Sequence, residues 1–370
     1  MRIAAPTEIK SDEYRVSLTP AGVRELVSHG HEVVVQAGAG AGSRIEDREY
    51  EREGARILAE AEQVWAEAEL IVKVKEPQRE ELVYLSEDKT LFTYLHLAAD
   101  AELALLLCAS GAACVAYETV EDDAGRLPLL APMSEVAGRV AAHAGAGALH
   151  APAGGRGVVL GGVVGVSPAT VVVIGGGVVG ENAARVAIGM GARVTILDRS
   201  LPRLRELAGL FDGRAETVYA SSLAVEGALA EADLVIGAVL IHGARAPHVV
   251  RRADLARMKP GAVLVDVSID QGGCFETSRP TTHSDPTYEV DGIQHYCVAN
   301  IPGAVPTTST FALTNATLPC VLELAREGAE RATRPDAGLR VGLNVISGEI
   351  VNPAVADAVS LWEADSAAPA

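Results

Sequence analysis

Cysteine is scarce in this chain, and lysine is scarcer than its basic content suggests. The five cysteines, Cys108, Cys114, Cys274, Cys297 and Cys320, are odd in number and show no C-x-x-C spacing. That excludes a disulfide framework and a cysteine zinc site, and it is the usage expected of a reducing cytoplasm. Only five of the 31 basic residues are lysines (Lys10, Lys73, Lys75, Lys89 and Lys259), so a lysine inside an apolar run stands out. A net charge of -18 leaves no electrostatic basis for non-specific binding to nucleic acid or to an anionic membrane. H-E-x-x-H, G-x-S-x-G and Walker sequences are missing, so hydrolase and kinase readings have no support. His29, His31, His143, His150, His242, His248, His283 and His295 fall into no metal-ligand spacing, and no metal is expected. The N-terminus becomes charged too soon for a signal peptide. Residues 157–180 carry no charge, yet they are glycine-rich and interrupted by Ser167-Pro168. They read as short buried strands, not as a membrane helix.

What is present suits a globular enzyme of two domains. The length of 370 residues fits two units at about 150 residues each, and 49% hydrophobic content is ample for their cores. Apolar runs at Ile3 to Ala5, His31 to Gln36, Leu70 to Val74, Leu91 to Leu95 and Ala113 to Tyr117 read as strands. Between them lie helical patterns: Thr19-Pro20 opens one through Ser28, Glu46 to Trp65 makes another, and Ala101 to Ser110 a third. Pro128 to Ala148 is a mostly helical connection, and Leu234 to Ala238 and Ala262 to Val267 are further strands. From Thr308 to about Arg334 the chain is helical with no new strand pattern. The expected fold class is α/β: two Rossmann-like domains with parallel sheets flanked by helices and separated by a cleft. Residues 1–127 and 307–370 would form one discontinuous domain, and 128–306 the other.

The densest signal is VVVIGGGVVGENAARVAIGMGARVTILD, residues 171–198. A β-branched run enters G-x-G-x-x-G, a helical segment follows, and a second apolar run ends on Asp198, 23 residues after Gly175. This is the dinucleotide-binding pattern in its proper strand–loop–helix–strand–acid context. Gly175 permits the tight turn, Gly177 lets backbone approach a pyrophosphate, and Gly180 lets the helix pack on the strand. Val178 and Val179 open the helix whose N-terminus faces the phosphates. Asp198 would accept the ribose 2′-OH, favouring NAD over NADP, while Arg199 and Arg203 could soften that preference. A glycine-rich turn that binds nothing is the alternative.

Ligands in open α/β sheets bind beyond the carboxyl ends of strands. Lys75, His96 and Asp270 each follow a strand there, and Arg15 lies in the region after the first one. Arg15 and Lys75 would hold a carboxylate, His96 would exchange a proton, and Asp270 would assist it. Each has a plainer alternative. Arg15 could pair at the surface with Glu13 or Glu8, and Lys75 could snorkel from a strand end. His96 could bond backbone, and Asp270 could cap a turn.

Several passages in order carry a more specific signal. They are PTEIKSDEYRVSLTPAGV, GHEVVVQAGAGAGS, LIVKVKEP, LFTYLHLAAD, YETV, LPLLAPMSEVAGR, DLVIGAVL, MKPGAVLVDVSIDQGGCFETSRPTTH and CVANIPGAVPTTSTFALTNAT. Together with the glycine loop they span about residues 1–320, and over that length the chain resembles the NAD-dependent L-alanine dehydrogenases. The resemblance implies NAD as cofactor, L-alanine, pyruvate and ammonium as substrates, and a homohexamer in the cytoplasm with no membrane or nucleic-acid partner. It implies that Arg15 and Lys75 bind substrate and that His96 and Asp270 are catalytic. It also implies cofactor contacts at Ser134, Gly175, Gly177, Val178, Val179, Gly180, Asp198, Arg203, Val239, Leu240, Val267, Ile269, Asp270 and Asn300. Departures from the pattern are small: threonine before TS in IPGAVPTTS, Ala220 in VYASS, and the loop LHAPAGGRG. Rival readings are the soluble NAD-binding part of a proton-translocating transhydrogenase, a saccharopine or lysine dehydrogenase-type enzyme, and a non-catalytic NAD-binding regulator.

Overall fold

The computed structural model describes residues 1–239, 246–334, 339 and 341–366. In its first third the chain forms β1 (Arg2–Ala5), α1 (Pro20–Ser28), β2 (Glu32–Gln36), α2 (Asp47–Arg52), β3 (Arg56–Leu58), α3 (Ala61–Glu67), β4 (Leu70–Val72), β5 (Thr90–Thr93), α4 (Ala101–Ser110) and β6 (Ala113–Ala116). Local chemistry sets these boundaries. Thr19 caps α1 by accepting the Gly22 N–H, with Pro20 at the first helical position. Asp100 caps α4 through the Leu103 N–H, and Gly111 ends it in the left-handed region at φ 75°.

The expected helix over 46–65 is not one helix. Gly54, at φ 98°, stops α2, and Arg56–Leu58 pairs in parallel with Val34–Gln36. The residues around it are good helix formers, so pairing with β2 overrides local preference there.

The middle of the chain gives α5 (Ala131–Ala148), β7 (Thr170–Ile174), α6 (Val178–Gly189), β8 (Arg193–Asp198), α7 (Leu201–Phe211), β9 (Ala215–Tyr219), α8 (Ser222–Glu231), β10 (Leu234–Gly237), β11 (Val263–Asp266), β12 (Thr287–Val290) and β13 (Ile293–Tyr296). The last part gives α9 (Pro306–Glu327), α10 (Ala329–Ala332), β14 (Leu343–Ile346), β15 (Glu349–Ile350) and α11 (Pro353–Ser366). Strands β14 and β15 correct the expectation of helix alone after Thr308. They form a hairpin around Ser347-Gly348, whose φ values of 50° and 82° are both positive, as a two-residue hairpin turn requires.

The chain divides into two compact units, Met1–Met133 with Val305–Ala370, and Ser134–Ala304. In the first, the sheet order is β15-β14-β6-β5-β4-β1-β2-β3; in the second it is β12-β13-β11-β10-β7-β8-β9. Both contain the doubly wound order 3-2-1-4-5-6, read from β3 to β6 and from β9 to β13. The pairing is parallel except at one edge of each sheet, where β14 runs against β6 and β12 against β13. The strand order reverses beside β1 in one unit and beside β7 in the other. Ligand sites are therefore expected beyond the carboxyl ends of β1 and β4, and of β7 and β10. The strands read as continuous apolar runs because helices cover both faces: Val171 and Val173 belong to one buried cluster, Val172 and Ile174 to another. Among the described residues no helix is long and apolar enough to cross a membrane.

Candidate active site

Beyond β1 and β4 of the first unit, charged side chains are buried in pairs. The Arg15 guanidinium is only 2% exposed and grips the Glu13 carboxylate with Nε at 2.6 Å and with Nη2. Its Nη1 lies 3.1 Å from Met133 Sδ. Burial alone would depress this guanidinium, but the hydrogen bonds and charge of Glu13 outweigh it and hold the pKa above its ordinary value. The partner suggested by sequence, Glu13, is correct; the surface setting is not. A bidentate fork in this geometry fixes the plane of the guanidinium.

Strand β4 ends at Val72, so Lys75 sits in the bend beyond the strand and not at its last residue. That bend is held on all sides. Lys73, wholly buried, pairs with Glu8 at 3.1 Å and Glu81 at 2.8 Å. Glu8 also accepts the N–H groups of Val74 at 2.7 Å and Lys75 at 3.4 Å. Burial pushes the Glu8 carboxyl up despite the Lys73 charge, while Lys73 itself ends above its ordinary value because the two carboxylates outweigh its desolvation. Thr93 Oγ1 and the Tyr117 hydroxyl donate to the carbonyls of Lys75 and Lys73.

His96 follows β5 in the left-handed region at φ 53°, exposed, with its ring stacked on Tyr94 at 5.8 Å. Glu118 accepts the backbone N–H groups of Leu95 and His96, which sets the direction in which the imidazole leaves the chain. The Tyr94 hydroxyl donates to Leu129 C=O at 2.7 Å, and burial raises its pKa. The Arg15 charge feels both Glu8 and Tyr94. Glu8 thus holds the main chain at Lys75, and Tyr94 stacks on His96. None of Glu8, Glu13, Lys73, Glu81, Tyr94 and Glu118 was singled out as a site residue from sequence. Lys73 carried a signal, being a rare lysine inside LIVKVKEP, and Glu13 and Glu8 were named only as ion-pair partners for Arg15; Glu81, Tyr94 and Glu118 carried none.

In the second unit the glycine loop leaves β7 with Gly175 at φ 102°. A Cβ at Gly175 would lie 2.4 Å from Ala238 O, and one at Gly180 would lie 1.8 Å from Gly175 O. At Gly177, which precedes α6, a Cβ would meet nothing within 4 Å. Two of the glycines are therefore required by the fold, and the third leaves a helix N-terminus open to approach. The Asp198 carboxylate accepts the N–H groups of Gly176 and Ser200, both at 2.7 Å, which aims it across the loop. Arg203 donates to Gly176 C=O at 2.6 Å, to Glu181 at 2.6 Å and to Glu206 at 2.9 Å. Through these bonds it braces the loop. Arg199 is exposed.

Beyond β11, the buried Asp266 carboxylate accepts the N–H groups of Ser268 and Cys274 and the Ser278 hydroxyl. This folds 268–275 into the turn that exposes Asp270. The Asp270 Oδ2 accepts the Asn300 N–H at 3.4 Å. Val267 bonds Gly237 C=O, Ile269 is buried, and the Ser268 hydroxyl bonds Val239 C=O at 2.7 Å. Ser134 is half-buried on α5. Leu240 and His242 lie outside the described residues.

Comparison with known proteins then gives the lineage. Residues 4–137 match the family model "Alanine dehydrogenase/PNT, N-terminal domain", and residues 141–353 match "Alanine dehydrogenase/PNT, C-terminal domain". The alanine dehydrogenase of Halomonas elongata is 58% identical, with 99% of each chain covered. A solved L-alanine dehydrogenase superposes with a TM-score of 0.93 at 49% identity, covering 97% of this chain and 99% of that one. A transhydrogenase from Sinorhizobium meliloti gives 0.82 at 25% identity, covering 96% and 100%. With both domain models matched and this identity sustained from end to end, the chain belongs to the alanine dehydrogenase/PNT family.

Proposed function

We propose that the protein catalyses the reversible NAD-dependent oxidative deamination of L-alanine to pyruvate and ammonium, with Arg15, Lys75, His96 and Asp270 as its working side chains. The observation that carries the reading is the set of groups gathered at the β1/β4 switch point: Arg15 gripped by the Glu13 carboxylate, Lys75 in a bend whose main-chain N–H groups Glu8 accepts, and His96 stacked on Tyr94. A small amino or keto acid has a carboxylate for such cations and an α-carbon to be oxidised or reduced. The transhydrogenase alternative is less favoured, since the likeness at 49% identity is to an L-alanine dehydrogenase.

The residues fit the cofactor. The open N-terminus at Gly177, with Val178 and Val179, suits a pyrophosphate, and the acceptor-only Asp198 suits ribose hydroxyls. Ser134, Gly175, Gly180, Val239, Leu240, Val267, Ile269, Asp270 and Asn300 complete its contacts, and Arg203 acts through the loop it braces. NAD, when bound, supplies the acceptor for the hydride that leaves the alanine α-carbon. Arg15 and Lys75 hold the carboxylate and so fix which way that C–H points; positioning of this kind is worth several kcal/mol of barrier, roughly 7–11 at its limit. The substrate becomes an iminium and needs water. Asp270 orients that water and stabilises the positive nitrogen, and His96 takes the water's proton as the C–O bond of a carbinolamine forms. His96 then gives that proton to the amine, and the adduct collapses to pyruvate as its hydroxyl proton is released, the C–N bond breaks and ammonia leaves to become ammonium.

The deciding assay is the appearance of NADH absorbance with L-alanine, run beside D-alanine, glycine, lysine and NADP. Turnover with L-alanine and NAD well above every other combination is expected; no turnover with any amino acid sinks the reading. The protein works in the cytoplasm, a setting supported by five unpaired cysteines, and it assembles as a hexamer. Exposed valines at 159, 163, 164 and 166 support self-association, since a lone chain rarely displays so many together. Sedimentation velocity is expected to give six chains; a monomer at micromolar concentration would contradict the assembly.

A further inference from the structure

Residues 281–286 form a strap beside the turn that carries Asn300. The Thr281 N–H donates to Cys297 C=O at 2.9 Å, and the Ala299 N–H returns to Thr281 C=O at 3.1 Å, one rung of parallel pairing. Two residues further on, the bond comes from a side chain: His283 Nε2 lies 3.2 Å from Asn300 C=O. A carbonyl only accepts, so the imidazole nitrogen is the donor and Nε2 carries a proton. The same carbonyl accepts the Gly303 N–H at 2.8 Å, so both of its lone pairs are engaged.

These bonds bracket one peptide. The Asn300 N–H, which faces Asp270 Oδ2, is flanked on one side by the Ala299 N–H bond and on the other by the doubly held Asn300 carbonyl. Asn300 itself is left-handed, at φ 60°. Asparagine tolerates that region, and the anchors from outside hold it there as the single conformation of a half-buried turn. The strap does not need the imidazole for its own shape. Thr281 Oγ1 bonds Pro286 C=O at 3.1 Å, and the Asp285 N–H bonds Thr282 Oγ1 at 3.2 Å. His283 is therefore available to act on its neighbour.

We infer that His283 is a positioning residue: it holds the left-handed turn at Asn300 so that the peptide N–H keeps the Asp270 carboxylate aimed and the Asn300 side chain stays in place. The role in turnover rests on the proposed function, whereas the anchoring of the turn does not. It acts in the step where Asp270 works, after the substrate carboxylate is bound. Its loss therefore falls on kcat and not on the KM for L-alanine.

The test uses the full-length protein with His283→Ala and His283→Gln, the glutamine amide being able to donate to the same carbonyl. One hydrogen bond is worth about 0.5–1.5 kcal/mol, which sets the expected fall in kcat for the alanine variant at about 2- to 13-fold. KM for L-alanine and the unfolding temperature stay at the wild-type values, and the glutamine variant recovers most of kcat. Hydrogen exchange of the 297–302 segment, followed by mass spectrometry, accelerates in the alanine variant alone. Unchanged exchange overturns the inference, and so does a glutamine variant as impaired as the alanine one. If the wild-type protein fails to oxidise L-alanine, the proposed function fails, and the exchange measurement still decides the anchoring.

Discussion

His96→Asn lowers the turnover of L-alanine by about 10²- to 10⁴-fold, the range that removal of a general acid–base residue produces, while NADH binding stays at the wild-type value. Asparagine is the informative replacement because of the backbone. His96 sits at φ 53°, where most side chains are strained but asparagine is not. Alanine would mix the chemical loss with a backbone cost; asparagine isolates it. The segment keeps its shape without the ring, because Glu118 holds the N–H groups of Leu95 and His96 through the main chain. Stacking on Tyr94 is lost, yet the histidine is exposed and Tyr94 remains buried with its hydroxyl bonded to Leu129. Nor does the glycine loop depend on His96, being built from residues of its own unit. Steady-state NADH formation and quenching of NADH fluorescence separate the two effects. Retention of more than about a tenth of wild-type turnover would mean that another group moves the proton.

The positions of the proposed site residues were legible because strand ends announce themselves. Apolar runs read as ending at Val74, Leu95, Ile174, Ala238 and Val267 lie within two residues of the strand ends, and so put Lys75, His96, the glycine loop, Val239 and Asp270 beyond the carboxyl ends of their strands, where doubly wound folds bind ligands. The loop and Asp198 were legible for a related reason: backbone conformation, close approach and a short range of sequence fix them together. What holds the residues was not legible. Glu8 reaches Lys73 and the N–H groups after it across a sheet, Glu118 reaches His96 from the next strand's exit, and His283 reaches Asn300 from a loop. Such pairings join residues far apart in sequence, and no periodicity records them. Strand β3 was hidden because a half-buried edge strand made of helix formers is decided by its neighbour β2. The β14–β15 hairpin was hidden by brevity, although Ser347-Gly348 is a turn pair that sequence could have flagged.

The Arg15–Glu13 pair is where stability and function separate most sharply. Glu13→Ala leaves a guanidinium that is 2% exposed without its bidentate carboxylate. Breaking a buried pair from one side costs about 3–5 kcal/mol, so a large fall in the denaturation midpoint is expected. Arg15→Met alone removes the guanidinium from a buried carboxylate, which keeps the main-chain N–H of residue 15, and is expected to lower the midpoint too. The double variant Arg15→Met/Glu13→Leu removes both charges and fills the space with apolar side chains. Replacing a whole buried pair in that way is often neutral or stabilising, so its midpoint returns close to wild type. Its activity does not return. The substrate carboxylate loses a charged donor, an interaction worth about 1.5–3 kcal/mol, so kcat/KM for L-alanine falls by about 10- to 150-fold. That loss appears mainly as a raised KM, since carboxylate binding precedes the chemistry at Cα. Chemical denaturation and steady-state kinetics on the three variants read the two effects apart. A double variant that is both stable and saturated by L-alanine at the wild-type concentration would show that the pair is architecture alone, with Lys75 the sole anchor. The expected pattern, stability recovered and affinity lost, instead makes Glu13 the residue that holds the Arg15 fork in the one plane from which it receives a substrate.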